Sequence, residues 1–241
     1  MDNGWEASAQ AWIDDMDAAG GFGRQYVLDP VMLARAEAAL PGRVLDVGCG
    51  EGRFCRMLAA RGADVTGLEP TAGLIAAARA RDPAGRYVEG VAEHLPFADA
   101  SFDLVVSYLA LIDIPDIAAA IPEMARVVAP GGRLLVANLN SFSTAGQSAG
   151  LGWQYDTAGQ RRHFALDRYS EESADWVEWR GIRIRNHHRP FAVYMRAFLA
   201  QRLVLTHFDE PLPVAEAPPG DRTDGYRRAP WFWVMEWAKP A

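Results

Sequence analysis

Short apolar runs alternate with amphipathic segments through the middle of the chain. The apolar runs, rich in Val, Leu and Ile, predict strands at residues 43–47, 64–68, 86–88, 102–107 and 133–138. Apolar positions spaced three and four residues apart predict helices between them, at residues 53–61, 71–81 and 115–128. Strands that alternate with helices in this way are typical of βαβ units and of a parallel sheet.

Other patterns flank this central region. Asp29 followed by Pro30 predicts a helix start, with Asp29 as the N-cap and Pro30 at the first helical position. Residues 140–180 are rich in glycine and serine, contain seven aromatic residues, and predict an irregular insertion. The regular pattern then resumes and predicts a helix at 191–201, strands at 203–208 and 231–237, and a long loop at 211–230.

Composition and charge exclude several classes of protein. The net charge is −7, so the surface repels phosphate backbones and long nucleic acids are not expected as partners. The longest apolar stretch lies between Asp103 and Asp113, well short of the roughly 20 residues of a membrane span, and the first residues lack a signal-peptide pattern. Two cysteines, Cys49 and Cys55, are too few for a disulfide framework. We expect a soluble, cytoplasmic protein without a membrane partner.

An arginine-rich stretch departs from this acidic balance. Between Gly181 and Phe208 the chain has five arginines and no carboxylate before Asp209. The composition favours a solvated face, and a patch that attracts an anionic substrate is the alternative. The arginines are Arg183, Arg185, Arg189, Arg196 and Arg202.

The most informative stretch is VLDVGCGEGRF at residues 44–54. A strand runs into glycines that permit a tight turn, and a helix follows, which predicts a ligand site at the carboxyl end of the strand. The dinucleotide fingerprint requires a glycine where this chain has Arg53. Asp46, two residues before Gly48, would repel a pyrophosphate, but it would attract an ammonium or a sulfonium group. Glu69, at the end of the second strand, can accept both hydroxyls of a ribose.

Together these residues resemble the class I S-adenosylmethionine-dependent methyltransferases, and in particular the branch with a Leu-Asp-Val-Gly-Cys-Gly motif. The similarity covers residues 42–139 and continues through three further segments. They are GVAEHLPF at 90–97, SFDLVV at 101–106 and PEMARVVAPGGRLL at 122–135.

The resemblance implies a fold and an organisation. We expect an α/β, Rossmann-like, doubly wound sheet of about seven mostly parallel strands, with helices on both faces and an inserted cap. A single domain would comprise an N-terminal cap segment (1–28), a cofactor-binding core (29–139), an inserted cap (140–180) and the C-terminal part of the sheet (181–241). The aromatic residues at both ends of the core suit a cover over the acceptor, or else a hydrophobic skirt without ligand contact.

It also implies S-adenosyl-L-methionine as the cofactor, and a set of residues that bind it. Glu93 or its neighbours would meet the adenine, and Tyr108 would lie near the cleft floor. Arg24 would meet the cofactor carboxylate or else face the solvent. Gly52 either contacts the ligand or lets the helix pack on the strand. The complete predicted set is Arg24, Asp46, Gly48, Cys49, Gly50, Glu69, Pro70, Ala92, Glu93, His94, Ser107 and Tyr108.

Three methyltransferase subclasses are disfavoured. The segment from Ser107 to Ala110 lacks the Pro-Pro-aromatic motif of enzymes that methylate base amino groups. No cysteine follows Cys55, which excludes thiolate attack of the pyrimidine type. No carboxylates cluster near Asn138 to bind a metal. We therefore predict a small-molecule acceptor, methylated on oxygen, nitrogen, carbon or sulfur, and no metal. The alternative is a catalytically silent protein that binds S-adenosylmethionine or S-adenosylhomocysteine to regulate or scaffold a partner.

An acceptor hydroxyl or amine must lose a proton, and imidazole suits that role near neutral pH. His188, in the run His187-His188-Arg189-Pro190, is the first candidate for a base, and His163 is the second. For each of them, bracing the cap or binding substrate is the alternative. If neither histidine acts, proximity alone, Tyr108 or Asp113 remains.

Overall fold

The computed structural model describes residues 3–16, 20–40, 42–147 and 150–241. Residues 1–2, 17–19 and 148–149 of the two predicted cap segments lie outside the described residues. The strands are β1 (Arg43–Val47), β2 (Asp64–Glu69), β3 (Arg86–Glu89), β4 (Phe102–Tyr108), β5 (Val128–Leu139), β6 (Gly152–Tyr155), β7 (Arg161–Ala165), β8 (Ser173–Trp179), β9 (Ile182–His188), β10 (Val204–Asp209) and β11 (Phe232–Ala238).

Within these ranges, seven strands form one sheet in the order β10-β11-β5-β4-β1-β2-β3. Strands β1 to β5 pair in parallel, whereas β11 lies between β5 and β10 and is antiparallel to both. The mostly parallel sheet and its seven strands confirm the predicted fold class. Parallel strands need a crossover connection, which explains why their carboxyl ends lie at one edge and the helices on the faces.

The helices are α1 (Trp5–Asp15), α2 (Gly21–Gly23), α3 (Asp29–Glu37), α4 (Arg53–Ala59), α5 (Ala72–Arg81), α6 (Ile117–Val127), α7 (Ser141–Ala145), α8 (Phe191–Leu199) and α9 (Asp221–Arg228). A π-helical segment, Arg24–Leu28, joins α2 to α3. None of the helices in the described ranges is long and apolar enough to cross a membrane.

Successive residues of a strand face opposite sides of the sheet, and apolar clusters that include helices bury both sides. In β1, Leu45 and Val47 belong to the apolar cluster that contains α6 and α8, whereas Val44 belongs to the cluster that contains α3 and α4. Strands buried on both faces carry nearly continuous apolar runs, which is the pattern that predicted them.

Helix α3 begins at Asp29, one residue before the predicted first helical position, but the predicted N-cap role of Asp29 is wrong. The chain is already helical before this residue, whose φ of −54° and ψ of −44° are helical, so Asp29 is not an N-cap. Its buried carboxylate instead pairs with Arg53 and accepts a hydrogen bond from the Tyr108 hydroxyl at 2.8 Å. Pro30 lies in the first turn of α3, where proline is tolerated.

The predicted irregular insertion is also wrong. Strands β6 and β7 form one antiparallel pair, and β8 pairs with β9, so the second pair crosses the predicted boundary at residue 180. Most residues of β7 and β8 are exposed or half-buried, which explains why no apolar alternation marks them in the sequence.

The predicted loop at 211–230 contains α9. That helix reads DRTDGYRR and has no apolar stripe, so hydrophobic periodicity cannot reveal it. The strand predicted at 133–138 begins earlier, at Val128. Its pairing with β4 is irregular at this end, where Phe102 pairs with Val128 and Leu104 pairs with Arg133.

Glu236 is the most thoroughly paired carboxylate at the far edge of the sheet. It is 1% exposed, pairs with Arg35 at 2.7 Å and Arg133 at 3.3 Å, and accepts from the Thr206 hydroxyl at 2.7 Å. Burial alone would raise the pKa of Glu236, but the hydrogen bonds from Arg35 and Thr206 outweigh burial and lower it.

We therefore expect Glu236→Ala to lower the free energy of unfolding in urea by about 2–3 kcal/mol at pH 7, because two arginines lose a buried partner. The Glu236 carboxylate stabilises the fold only while ionised, so the loss should shrink as pH falls below the ordinary glutamate pKa of about 4.3. Glu37→Ala, which breaks the exposed pair with Arg61, is the control and should change stability by less than about 1 kcal/mol. Equal losses in the two variants would contradict the assignment.

Candidate functional site

A cavity of about 1100 Å³ opens at the carboxyl ends of β1, β2 and β4. Its walls come from α1, the loop after β1, both antiparallel strand pairs and α9. This volume exceeds that of a typical single-ligand pocket, so two small molecules can lie in it together.

The glycine loop after β1 forms one wall. Gly48 has a φ of +76°, and a Cβ at this position would lie 2.5 Å from the Cβ of Ala110, so no other residue fits. Gly52 is outside the cavity lining, and a Cβ there would meet the Tyr87 hydroxyl at 2.7 Å. Of the two roles proposed for Gly52, the geometry therefore favours packing.

Asp46 ends β1 beneath this loop. It is 1% exposed, and its Oδ2 accepts a hydrogen bond from the Cys55 thiol at 3.4 Å. Oδ1 is buried and has no hydrogen-bond partner among the described residues. Burial raises the pKa of Asp46 to about 7, with a smaller contribution from Glu69 and an opposing one from Cys55. An orphaned buried carboxylate oxygen suits a cationic ligand.

Glu69 ends β2 and lines the same cavity. Its Oε2 accepts from the Gly50 N–H at 2.9 Å and its Oε1 from the Thr71 N–H at 3.0 Å. Each carboxylate oxygen has two lone pairs, so Glu69 keeps capacity for hydroxyl donors. Burial raises the pKa of Glu69, although these hydrogen bonds oppose it.

Arg24 lies across the cavity in the π-helical segment. Its guanidinium carbon is 5.1 Å from the Trp12 ring centroid and 5.8 Å from that of Tyr108. Within the described ranges no carboxylate lies at ion-pair distance from Arg24, and burial lowers its pKa. A cation that contacts two aromatic rings and has no ion-pair partner in the part of the chain that the structure describes suits a ligand carboxylate.

Most of the residues predicted from the sequence to bind the cofactor converge here. Those that line the cavity are Arg24, Asp46, Gly48, Cys49, Gly50, Glu69, Pro70, Ala92, Glu93 and Tyr108.

His94 and Ser107 do not belong to this lining. His94 is exposed on a turn. Ser107 has no exposed surface, and because alternate residues of a strand face opposite sides, it points away from Tyr108. Their predicted contacts with the cofactor therefore have no support from the geometry.

The cap contributes fewer aromatic residues than the sequence suggests. Trp153 and Trp179 of the insertion line the cavity, as do Trp5 and Trp12 of α1. The other aromatic residues of 140–180 lie outside the lining. Whether the cap covers an acceptor or forms a hydrophobic skirt stays a prediction. Sequence reasoning missed Arg222 and Tyr226 of α9, which carry no periodic signal, and gave Asp113 only as an alternative.

The two predicted histidine bases lie outside the cavity lining. His188 is 6% exposed, its Nδ1 lies 2.6 Å from the Thr144 hydroxyl, and its Nε2 lies 3.0 Å from the Tyr169 carbonyl. Both ring nitrogens are thus engaged in bracing the cap. His163 is exposed on β7. Their catalytic role remains a prediction without geometric support.

The arginine-rich stretch does not form one patch. Arg183 pairs with Glu178 at 2.6 Å and stacks on Trp176. Arg189 is 4% exposed, and its guanidinium donates to backbone carbonyls. It therefore belongs neither to a solvated face nor to an anion site.

Comparisons with known proteins agree with this geometry. A family model described as a methyltransferase domain matches residues 45–136. A solved S-adenosylmethionine-dependent methyltransferase from Mesorhizobium loti superposes with a TM-score of 0.79 at 26% identity, covering 92% of this chain and 100% of that one. The demethylmenaquinone methyltransferase of Beutenbergia cavernae is 34% identical over 171 residues, which are 63% of this chain and 71% of that protein. The chain belongs to the class I S-adenosylmethionine-dependent methyltransferases.

Another relative matches a shorter region of this methyltransferase. The malonyl-acyl-carrier-protein O-methyltransferase of Erwinia billingiae is 42% identical over 112 residues, which are 46% of this chain and 44% of that protein. The match therefore spans less than half the length of that relative.

S-adenosylmethionine is the cofactor of this methyltransferase. The residues present fit it: the orphaned oxygen of Asp46 suits an ammonium, Glu69 suits ribose hydroxyls and Arg24 suits a carboxylate. Among the described residues no cluster of His, Cys, Asp and Glu could hold a metal ion.

Glu69→Ala should weaken S-adenosylmethionine binding by roughly ten- to hundredfold, since a hydrogen bond to a charged group contributes about 1.5–3 kcal/mol. Isothermal titration calorimetry measures the change, and Glu89→Ala, at the exposed end of β3, is the control. Glu69→Gln keeps one oxygen that can accept a hydrogen bond from the Gly50 or the Thr71 N–H. Comparing it with Glu69→Ala separates the loss of ribose contact from the loss of support for the loop. Unchanged affinity in a folded Glu69→Ala variant would contradict the prediction.

Cofactor affinity should also depend on pH through Asp46. A cation favours the ionised carboxylate, so below a pKa of about 7 binding must displace a proton from Asp46. We expect affinity to fall roughly tenfold between pH 7.5 and pH 6, and the Asp46→Asn variant to bind more weakly but with a flatter profile. Parallel pH profiles for the two proteins would assign the dependence to another group.

Proposed function

We propose that this methyltransferase transfers the methyl group of S-adenosylmethionine to a small-molecule acceptor held under the cap. One observation carries the proposal: a single cavity runs from Asp46 and Glu69 at the sheet edge to Trp153 and Tyr226 beneath the cap. Methyl transfer requires the donor and the acceptor to lie in the same enclosed space, with the acceptor atom in line with the methyl–sulfur bond that breaks.

The bound cofactor supplies an electrophilic methyl group on a positive sulfur. The protein therefore needs to orient the acceptor and exclude water, rather than to activate the methyl donor. Aromatic walls suit both tasks. The cap wall is held firmly, since the guanidinium groups of Arg161 and Arg228 lie 5.2 and 5.1 Å from the centroid of the Trp153 ring. Gly225 leaves the room that the Arg161 side chain occupies.

The names of two relatives support a small acceptor. One methylates demethylmenaquinone and the other a malonyl group on acyl-carrier protein. A cavity of about 1100 Å³ can admit a small acceptor beside the cofactor. The net charge of −7 favours such acceptors over long nucleic acids.

The proposal is tested by incubating the protein with S-adenosylmethionine and a library of phenols, alcohols, amines, thiols and carboxylates, and measuring S-adenosylhomocysteine. We expect formation above the acceptor-free rate with at least one member. Tight cofactor binding without turnover across the library would contradict the proposal and favour the silent regulatory or scaffold alternative.

Hydrogen exchange should report the cap directly. When cofactor and acceptor product bind, amide exchange in α1 and in β6 to β9 should slow, because these elements carry Trp5, Trp12, Trp153 and Trp179. Strand β10, at the opposite edge of the sheet, is the internal control. Protection limited to the glycine loop and the end of β2 would locate the acceptor outside the cap.

A further inference from the structure

The connection between β4 and α6 holds a carboxylate that the cofactor assignment leaves unused. It abuts the glycine loop, since Gly48 approaches Ala110, and its Asp113 lines the cavity. Leu109, at its start, has a φ of +59°, a conformation that costs energy in a residue with a Cβ. Asp113 thus lies where the cofactor end of the cavity meets the cap.

The end of β9 holds this connection in place. The buried guanidinium of Arg189 donates to the carbonyls of Leu111, Ile114 and Pro115 at 3.1, 2.7 and 2.9 Å. The His187 N–H donates to the Ile112 carbonyl at 2.8 Å. Asp113 is therefore flanked on both sides by fixed backbone, which gives its side chain a defined position.

One neutral side chain contacts the Asp113 carboxyl group. The Asn186 amide donates to Oδ1 at 2.6 Å, and Asn186 also lines the cavity. Among the described residues no cation forms an ion pair with Asp113. Across the cavity, the charge of Glu69 raises the pKa of Asp113 and the charge of Arg24 lowers it. Recessed in this wall, Asp113 has a pKa raised to about 8, with burial as the main cause.

A purely structural role explains this arrangement poorly. Asp29 shows what a structural carboxylate looks like here, since Arg53 and Tyr108 together satisfy it. Asp113 instead has only a neutral donor, and an amide oxygen would accept the Asn186 hydrogen bond equally well. A carboxylate without a countercharge in a cavity wall is the arrangement expected of a proton acceptor.

We propose that Asp113 is the catalytic base for a protic acceptor, an alcohol, a phenol or an amine, and that Asn186 is its positioning residue. The assignment rests on the proposed function. As the acceptor heteroatom forms its bond to the methyl carbon, the methyl–sulfur bond breaks and its electron pair stays on sulfur. The proton of the acceptor passes to the Asp113 carboxylate and from there to water.

The test uses the protic acceptor that the wild-type protein methylates fastest in the library. Asp113→Asn should lower kcat at least 100-fold, which is the lower range for a general base, while the calorimetric Kd for S-adenosylmethionine stays within about threefold. Asp116→Asn is the matched control, because Asp116 is an exposed N-cap of α6 and asparagine caps equally well. A phenol with two nitro substituents, already ionised at neutral pH, should lose much less in the Asp113→Asn variant.

Asn186→Ala tests the positioning role, because a purely structural role of Asn186 would not change the pH dependence of kcat. Asn186 donates to Asp113 and lowers its pKa, so removing the amide should shift the alkaline-rising limb of the kcat profile to higher pH. Asn186→Gln, which restores an amide donor, should return the profile towards that of the wild-type protein.

The outcomes separate the base from the proposed function. A loss below tenfold in Asp113→Asn, an equal loss for the nitro-substituted phenol, or turnover confined to carboxylate acceptors would overturn the base while leaving methyl transfer intact. Absence of turnover with every library member would overturn both.

Discussion

Three buried carboxylates share one cavity, none with an ion-pair partner in the part of the chain that the structure describes, and the site depends on that arrangement. Asp46, Glu69 and Asp113 all have raised pKa values, and burial is the main cause in each. Such an arrangement is costly in the free protein, because desolvated carboxylates lack a countercharge. A ligand that carries positive charge at one end and hydroxyl groups beside it relieves this cost, so ligand binding and the stability of the site are linked.

The central sheet was predictable because it is built from local signals. Strands β1 and β4 carry nearly continuous apolar runs since the sheet is buried on both faces, and the glycines after β1 mark the loop by their conformational freedom. The cofactor end of the site follows from the same segments, because the carboxyl ends of neighbouring parallel strands meet at one edge. Asp46 and Glu69 could be located without a structure for that reason.

The cap could not be predicted in the same way. Strands β7 and β8 are exposed on both sides and α9 is polar all round, so neither has the periodicity that burial imposes. Asp29 has the sequence signature of an N-cap, yet its partners Arg53 and Tyr108 come from other elements and override the local preference. His188 resembled a base in the sequence, but only the fold shows that Thr144 and Tyr169 occupy its ring nitrogens. Contacts between distant residues decide these cases.

The position of β11 inside the sheet has a consequence for how the molecule assembles. Strands β1 to β5 pair with one another within residues 43–139, whereas the other side of β5 pairs with a strand that follows α9. Pairing between such distant segments closes late, because the entropy of a long loop is lost before the contacts form. The cofactor end of the cavity can therefore take shape as a folding unit of its own, and the acceptor wall on α9 becomes fixed only when the last strand inserts.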